Sequence, residues 1–147
     1  MDQVLISPIE YQANLASADL AGCELREFTL LAANFEGANL VGADLRGQKF
    51  SGANFTYADF TGADLRGANL LDGNFRHADF TGADLRGVII ANSFCYEANF
   101  SGADLRGAVF GCEHNRSNFK GADFRGATLN KEDFKDCDIR GAIFTPK

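Results

Sequence analysis

The chain has 147 residues and a formal charge of −6, from 20 acidic and 14 basic side chains. This length suits one domain, and the acidic balance argues against a nucleic-acid binder, which should carry a basic face. No apolar run approaches the roughly 18 residues of a transmembrane helix, and residues 1–12 lack the basic and long apolar segments of a secretory signal. We therefore expect a cytoplasmic protein that binds neither nucleic acid nor membrane.

The first 12 residues precede a repeat that fills the rest of the chain. We expect residues 1–12 to form a capping segment, because their apolar side chains can cover the open end of a core. From residue 13 onward a unit of five recurs: a small residue, Asp or Asn, Leu or Phe, and two variable residues. The unit Ala-Asp-Leu-Arg-Gly is unchanged at 43–47, 63–67, 83–87 and 103–107. A period of five fits neither an amphipathic helix nor an alternating strand, and indicates a solenoid over residues 13–147.

A second period, of twenty residues, groups the units in fours. The Arg after the central apolar residue recurs at 26, 46, 66, 86 and 106, so four units make one coil and each unit forms one side. The central Leu or Phe and the small residue two positions before it should face inward, and the other three should face solvent or form the corner. We number the sides one to four by their first central residues: Leu15, Leu20, Leu25 and Leu30. The pattern predicts an all-β, four-sided parallel β-helix of just under seven coils.

The register slips by one residue after Phe110, because the next clear centre, Phe119, follows nine residues later. Cys112-Glu113-His114 can supply the missing unit, with His114 in the central slot. Elsewhere three residues are large for the small inward slot, and we expect bulges or widened corners there: Phe28, Gln48 and Glu132.

The repeat resembles the pentapeptide-repeat family, whose consensus is A(D/N)LXX, and the resemblance covers Ala13 to about Phe144. It implies a right-handed, four-sided parallel β-helix with the central residue and the small residue pointing inward. Most members of the family have no known activity. A few resemble duplex DNA and bind type II topoisomerases, and others are protein-binding regulators. Fold analogy alone does not choose between these functions.

Opposite charges recur at fixed positions on side three. Like charges stacked about 5 Å apart repel, and placing an Arg column beside an Asp column removes most of that cost. Such a charge ladder can be a solvated feature that discourages wrong register, or a surface on which a partner docks. Its candidate residues are Asp44, Arg46, Asp64, Arg66, Asp84, Arg86, Asp104 and Arg106.

Side four differs because several of its outward positions are apolar. Clustered outward apolar residues suggest a contact surface, although scattered ones are common on any soluble protein. The candidate protein-binding face comprises Leu31, Leu71, Ile89, Ala91 and Val109.

Catalysis has little support in the sequence, which has no catalytic triad order, no HExxH and no phosphate-binding loop. We therefore expect no catalytic, cofactor-binding or metal-binding residues, and His77 to be a solvated corner residue. Cys95, Cys112 and His114 should be neighbours. A locally modified apolar core, a Cys95–Cys112 disulfide and a metal site all remain open for them.

These observations favour a non-enzymatic, bacterial protein-interaction scaffold or regulator whose protein partner is unknown. The alternative is a DNA mimic that binds DNA gyrase or topoisomerase IV, but a mimic needs an extended negative surface, whereas here each side-three Asp has a neighbouring Arg. A β-helix also exposes its core at its ends. We therefore expect a weak homodimer through the C-terminal end, at Phe134 and Phe144.

Overall fold

The computed structural model describes residues 12–26, 28–113 and 116–144. The chain winds into a right-handed, four-sided parallel β-helix of just under seven coils, which confirms the predicted fold. Successive coils are joined by paired backbone hydrogen bonds. The Leu45 N–H donates to the Asp64 carbonyl at 2.8 Å, and the Asp64 N–H donates to the Ala43 carbonyl at 3.0 Å. The predicted capping segment 1–12 lies outside the described residues apart from Gln12.

Each side is short because only three residues lie between corners. Within the described residues, most sides therefore pair through a single bridge at the residue before the centre, as from Asp44 to Asp64 and on to Asp84. The corner after Leu45 is closed by Gly47, at a φ of 64° that glycine adopts without steric cost. The Gly47 N–H donates to the Arg66 carbonyl at 2.9 Å, so the corners also contribute to the stacking of coils.

Two longer strands form at the register slip. Strand β1 spans Ile89–Phe94 and strand β2 spans Val109–Glu113, and the two pair in parallel. Ala91 pairs with Gly111 and Ser93 pairs with Cys112, so Asn92 has no counterpart in β2. The missing residue is thus absorbed as a bulge at the corner between sides four and one. Cys112 holds the small inward slot as predicted, and His114 lies outside the described residues.

The core is built from stacked rings and aliphatic side chains. On side two the Phe80 ring lies between the rings of Phe60 and Phe100, with centroid separations of 4.6 and 4.8 Å and nearly parallel planes. On side one, Phe55 stacks between Phe35 and Phe75 in the same way. These six rings are fully buried. Identical side chains stack here because parallel coils repeat the same slot one above the other.

Gln48 occupies the small inward slot and is buried there. Its side-chain amide donates to the Leu25 carbonyl, and its Oε1 accepts from the Lys49 N–H at 2.7 Å. The backbone bond from the Asn69 N–H to the Gln48 carbonyl keeps its regular length of 2.9 Å. Buried amides are tolerated when both polar ends are bonded. Here the Lys49 N–H bonds to the Gln48 side chain, whereas the equivalent Asn69 N–H bonds to a backbone carbonyl of the preceding coil, so the ladder is locally altered at Gln48. Phe28 is half-buried against the core.

Glu132 does not occupy the inward slot that its position predicted. A 3-10 helix spans Lys131–Phe134, and it turns the Glu132 side chain into solvent. The Asn130 side chain caps this helix by accepting the Glu132 N–H at 3.2 Å. A carboxylate in the core would need a partner, and the helical turn avoids that cost while still burying Phe134. Across the described residues, no helix is long and apolar enough to cross a membrane.

Candidate interaction surface

The charge ladder of side three is a column of paired Asp and Arg side chains. Arg46 Nε donates to Asp44 Oδ1 at 2.9 Å and Arg46 Nη2 donates to Asp44 Oδ2 at 2.8 Å. Arg46 also lies 3.7 Å from the carboxylate of Asp64 on the next coil. The same two-point pairing recurs at the remaining predicted positions: Asp64 with Arg66, Asp84 with Arg86, and Asp104 with Arg106.

These pairs neutralise side three locally. The hydrogen bonds from Arg46 lower the pKa of the Asp44 carboxyl to about 2, and the Arg66 side chain lowers the pKa of Asp64 in the same way. The ladder continues on the next coil with Asp123 and Arg125. Because each carboxylate is held by a guanidinium, the column presents alternating charge and no continuous negative strip.

Side four brings four of its five predicted residues together. Ile89 and Val109 are directly paired and are 38% and 41% exposed. Leu71 and Ala91 lie on adjacent coils of the same side, at the position that follows the central residue, and both are half-buried. Leu31 does not join this group, because Ser51 occupies the same position on the coil between Leu31 and Leu71. The hydrogen bonds show this order: the Ala32 N–H donates to the Ser51 carbonyl, and the Gly52 N–H donates to the Leu71 carbonyl. We call Leu71, Ile89, Ala91 and Val109 the side-four surface.

Side one carries an aromatic cluster that the sequence analysis missed. Phe94 stands at the outward position of β1 and is 39% exposed. The Arg76 guanidinium lies 4.4 Å from the centroid of the Phe94 ring and 5.4 Å from that of Tyr96. The Tyr96 hydroxyl donates to the carboxylate of Glu113. The available signal was Phe94 itself, which stands where the four preceding coils have Asn.

The corner after side one is also unusual. The rings of Tyr57 and His77 stack with centroids 4.6 Å apart and planes 4° apart. On the next coil, one carboxylate oxygen of Glu97 lies 3.5 Å from His77 Nδ1. The other oxygen of Glu97 lies 3.0 Å from Arg116 Nη2. All four residues have φ between 56° and 61°. Bulky residues in this conformation cost on the order of 1–3 kcal/mol each, whereas glycine adopts it freely. The corner after side four also has non-glycine residues in this conformation, at Gln12, Ala32, Asp72 and Asn92, so the conformation is not confined to one corner.

The side-one and side-four surfaces are continuous. We call Tyr57, Arg76, His77, Phe94, Tyr96, Glu97 and Arg116 the side-one surface. Strand β1 turns from side four to side one, so Ile89 and Phe94 are parts of one strand on two adjoining faces. Tyr57 is 62% exposed and is the most exposed large hydrophobic side chain of the described residues. The joined surface therefore combines aliphatic, aromatic and guanidinium groups.

The predicted dimer end is more buried than expected at one of its two residues. Phe134 is only 4% exposed, because it packs against the rings of Phe124 and Phe144. Phe144 is half-buried and stacks on Phe124 with planes 3° apart. Ile139 and Ile143 are more exposed than either ring, at 42% and 46%.

The cysteine pair lies where the repeat placed it. Cys95 is fully buried and Cys112 is nearly so, and their Sγ atoms lie 2.6 Å apart. All four cysteines, which fall within the described residues, are thiols in this structure. Among the described residues no three His, Cys, Asp or Glu side chains converge as a metal-binding group. His114, the third residue of the predicted cluster, lies outside the described residues.

Comparison with known proteins identifies the repeat. A family model described as pentapeptide repeats matches in eight copies, over residues 13–47, 30–67, 49–87, 95–111 and 117–145. No curated protein matches the chain. Among solved structures, full-length QnrB1, a plasmid-mediated fluoroquinolone resistance protein, is 21% identical, with 92% of this chain and 81% of that chain covered and a TM-score of 0.51.

Two further structures have lower TM-scores. HetL of the cyanobacterium Nostoc sp. strain PCC 7120, described as involved in heterocyst differentiation regulation, is 20% identical over 92% of this chain and 84% of that chain, with a TM-score of 0.44. A pentapeptide repeat protein of the Arabidopsis thaliana thylakoid lumen is 31% identical over 78% of this chain and 70% of that chain, with a TM-score of 0.28. With the family model matching well over half of the sequence, this chain belongs to the pentapeptide-repeat family.

Proposed function

We propose that this protein is a non-enzymatic scaffold that binds a protein partner through its joined side-one and side-four surfaces. The observation that carries the proposal is the clustering of exposed apolar and aromatic side chains on two adjoining sides. Three of them belong to the paired strands β1 and β2: Ile89, Phe94 and Val109. Contiguous exposed apolar area on a soluble domain marks interaction sites.

The composition of this surface suits protein recognition. Tyr and Arg are the residues that most often dominate binding energy at protein interfaces, and here Arg76 lies against Phe94 and Tyr96 while Tyr57 is largely exposed. The backbone beneath them is hydrogen-bonded from coil to coil, as in the bond from the His77 N–H to the Tyr96 carbonyl at 3.0 Å. A surface held in place before binding loses little conformational entropy when a partner docks.

Sides two and three are chemically different. Side three presents Asp–Arg pairs, and side two presents mainly Asn, Asp, Thr and Ser at its outward positions. The Asp carboxyls of the ladder have lowered pKa values and are bonded to Arg, so they are poorly suited to general acid or base catalysis near neutral pH. These features support a binding role rather than an enzymatic one.

A DNA mimic that binds DNA gyrase is the alternative, and it has less support. Mimicry of duplex DNA requires a continuous negative surface. The acidic column of side three is matched by Arg at every coil from Asp44 to Asp104. A gyrase supercoiling assay separates the two functions, because a mimic should inhibit or protect the enzyme and a scaffold with another partner should do neither.

The binding proposal can be tested with two matched valine substitutions. Val109 and Val41 are 41% and 37% exposed, and they lie on side four and side two. Val109→Ser combined with Phe94→Ser should reduce capture of the specific partner from a lysate of the source organism, while Val41→Ser should leave that capture unchanged. Circular dichroism of all variants checks that the coils remain intact. Equal capture by both variants, or loss only with Val41→Ser, would place the binding surface elsewhere.

A further inference from the structure

We propose that Cys95 and Cys112 form a modification site, in which small neutral or cationic oxidants reach Cys112 through a surface cleft and convert the buried pair to a disulfide. The inference is independent of the partner that the joined surface binds. It rests on the position of the two thiols in adjacent coils, on the cleft beside them, and on the charges that line the cleft.

The two thiols meet because of the register of β1 and β2. Cys95 follows β1 in the central slot of side one, and Cys112 occupies the small inward slot of the next coil, paired with Ser93. The Cys95 N–H donates to the Glu113 carbonyl at 2.6 Å, which ties the two coils together beside the thiols. In the three preceding coils, side one has Phe at this central position. A Phe ring at 95 would fill the space in which the two Sγ atoms now make contact.

The cleft exists because the last coil does not continue the β-helix on side one. The 3-10 helix Lys131–Phe134 replaces a flat side there and leaves a space of about 510 Å³ above β2. Gly111, Cys112 and Glu113 form one wall of this cleft, and Tyr96 lies beside them. Cys112 therefore borders solvent-accessible space, whereas Cys95 is fully enclosed.

The lining of the cleft selects against anions. The lining contains one ammonium group, that of Lys135, and four carboxylates, those of Glu113, Glu132, Asp133 and Asp136. A negative cleft disfavours an anionic oxidant such as glutathione disulfide and accepts hydrogen peroxide or a cationic disulfide such as cystamine.

The chemistry proceeds in two steps that balance. With peroxide, the Cys112 thiol is oxidised to a sulfenic acid and one water is released; the Cys95 sulfur then attacks the Cys112 sulfur, the S–S bond forms, and a second water leaves. With cystamine, Cys112 forms a mixed disulfide and releases one cysteamine, and attack by Cys95 releases the other. Burial raises the pKa of the enclosed Cys95 thiol, so Cys112, which lines the cleft, is the first of the two to meet the oxidant.

The bond would join residues 17 positions apart, across the corner where the register slips. Closing a loop of this size restricts the unfolded chain, and we expect the melting temperature of the oxidised protein to rise on the order of 10 °C. The crosslink would also fix the position of β2 beneath the cleft.

The test compares three oxidants on the full chain carrying Cys23→Ala and Cys137→Ala, which leaves only the proposed pair. After exposure to hydrogen peroxide, cystamine or glutathione disulfide, the protein is unfolded, alkylated and mapped by mass spectrometry. We expect a Cys95–Cys112 linked peptide, with cystamine about tenfold or more faster than glutathione disulfide. The linkage should also appear in the unsubstituted chain, and thiol reductant should reverse both the linkage and the rise in melting temperature.

A matched variant tests the role of the cleft. Glu132→Gln with Asp136→Asn should bring the rates of the two disulfides closer together, while Asp59→Asn with Asp79→Asn on side two should not. If Cys95 and Cys112 are still alkylated as thiols after all three oxidants, the modification site is overturned. If the two disulfides react at equal rates in the unsubstituted cleft, the access route through the acidic lining is overturned.

Discussion

The Phe80 ring lies parallel to the Phe60 ring, with centroids 4.6 Å apart and planes 3° apart. Phe100 stacks on the opposite face of Phe80 at 4.8 Å, so Phe80 is enclosed by rings on both sides. This arrangement makes Phe80 a sensitive probe of the core.

Phe80→Ala should lower the free energy of unfolding by about 3–5 kcal/mol, because it leaves a cavity between two rings that cannot collapse without moving whole coils. Arg66→Ala is the comparison on the outer surface, where the side chain is 42% exposed and pairs with Asp64. Arg66→Ala should lower the free energy of unfolding much less than Phe80→Ala does. Denaturant unfolding measures both, and equal losses would contradict the inward and outward assignments.

The corner conformations can be tested with a pair of substitutions on one coil. Gly62 has a φ of 64° with open space around its missing Cβ, so Gly62→Ala should cost about 1 kcal/mol from backbone strain alone. Tyr57→Gly relieves the same strain but loses the stacking on His77, and we expect a net change within about 1 kcal/mol. Thermal melts compare the two. A large loss from Tyr57→Gly would mean that the corner stack is a structural requirement and not a binding feature.

The charge ladder predicts a window of acid sensitivity. The pKa of Asp44 is about 2 in the folded protein, against an ordinary value of 3.8. Because the folded pKa is the lower one, ionised Asp44 stabilises the fold above pH 3.8, and this contribution is lost as the pH falls towards 2. Unfolding curves between these pH values should therefore be less pH-dependent for Asp44→Asn than for the unsubstituted protein. Parallel losses in the two proteins would show that Asp44 does not contribute to this window.

The weak homodimer through the C-terminal end stays a prediction. Ile139 is 42% exposed in a central slot of the last coil, while Ile143 is 46% exposed at the outward bridge position paired with Asp123. If the end forms a contact, Ile139→Asp should shift the protein to monomer, and Ile143→Asp should have a smaller effect. Sedimentation over a range of concentrations measures this, and a monomer at every concentration for the unsubstituted chain would refute the dimer.

The five-residue and twenty-residue periods were sufficient to predict the β-helix, its inward residues and the side-two aromatic ladder. The reason is that burial leaves little choice: the one large apolar residue in each unit must face the core, and parallel coils then place equivalent residues in contact. The same periodicity placed Asp44 beside Arg46, because two residues separated by one position on a side point outward together. It also placed Cys95 near Cys112, since both hold inward slots on consecutive coils.

The tertiary structure decided what periodicity could not. Outward side chains are not constrained by burial, so the stack of Tyr57 on His77 and the position of Arg76 over Phe94 depend on side-chain geometry between coils. The bulge at Asn92 and the outward turn of Glu132 arise where local hydrogen bonding offers an alternative to the repeat. The sequence alone thus determined the inner surface of the coils that precede the 3-10 helix, because hydrophobic burial admits one solution there. On the outer surface, periodicity placed the charge ladder and the side-four surface, but the side-one surface emerged only when stacking brought neighbouring coils together.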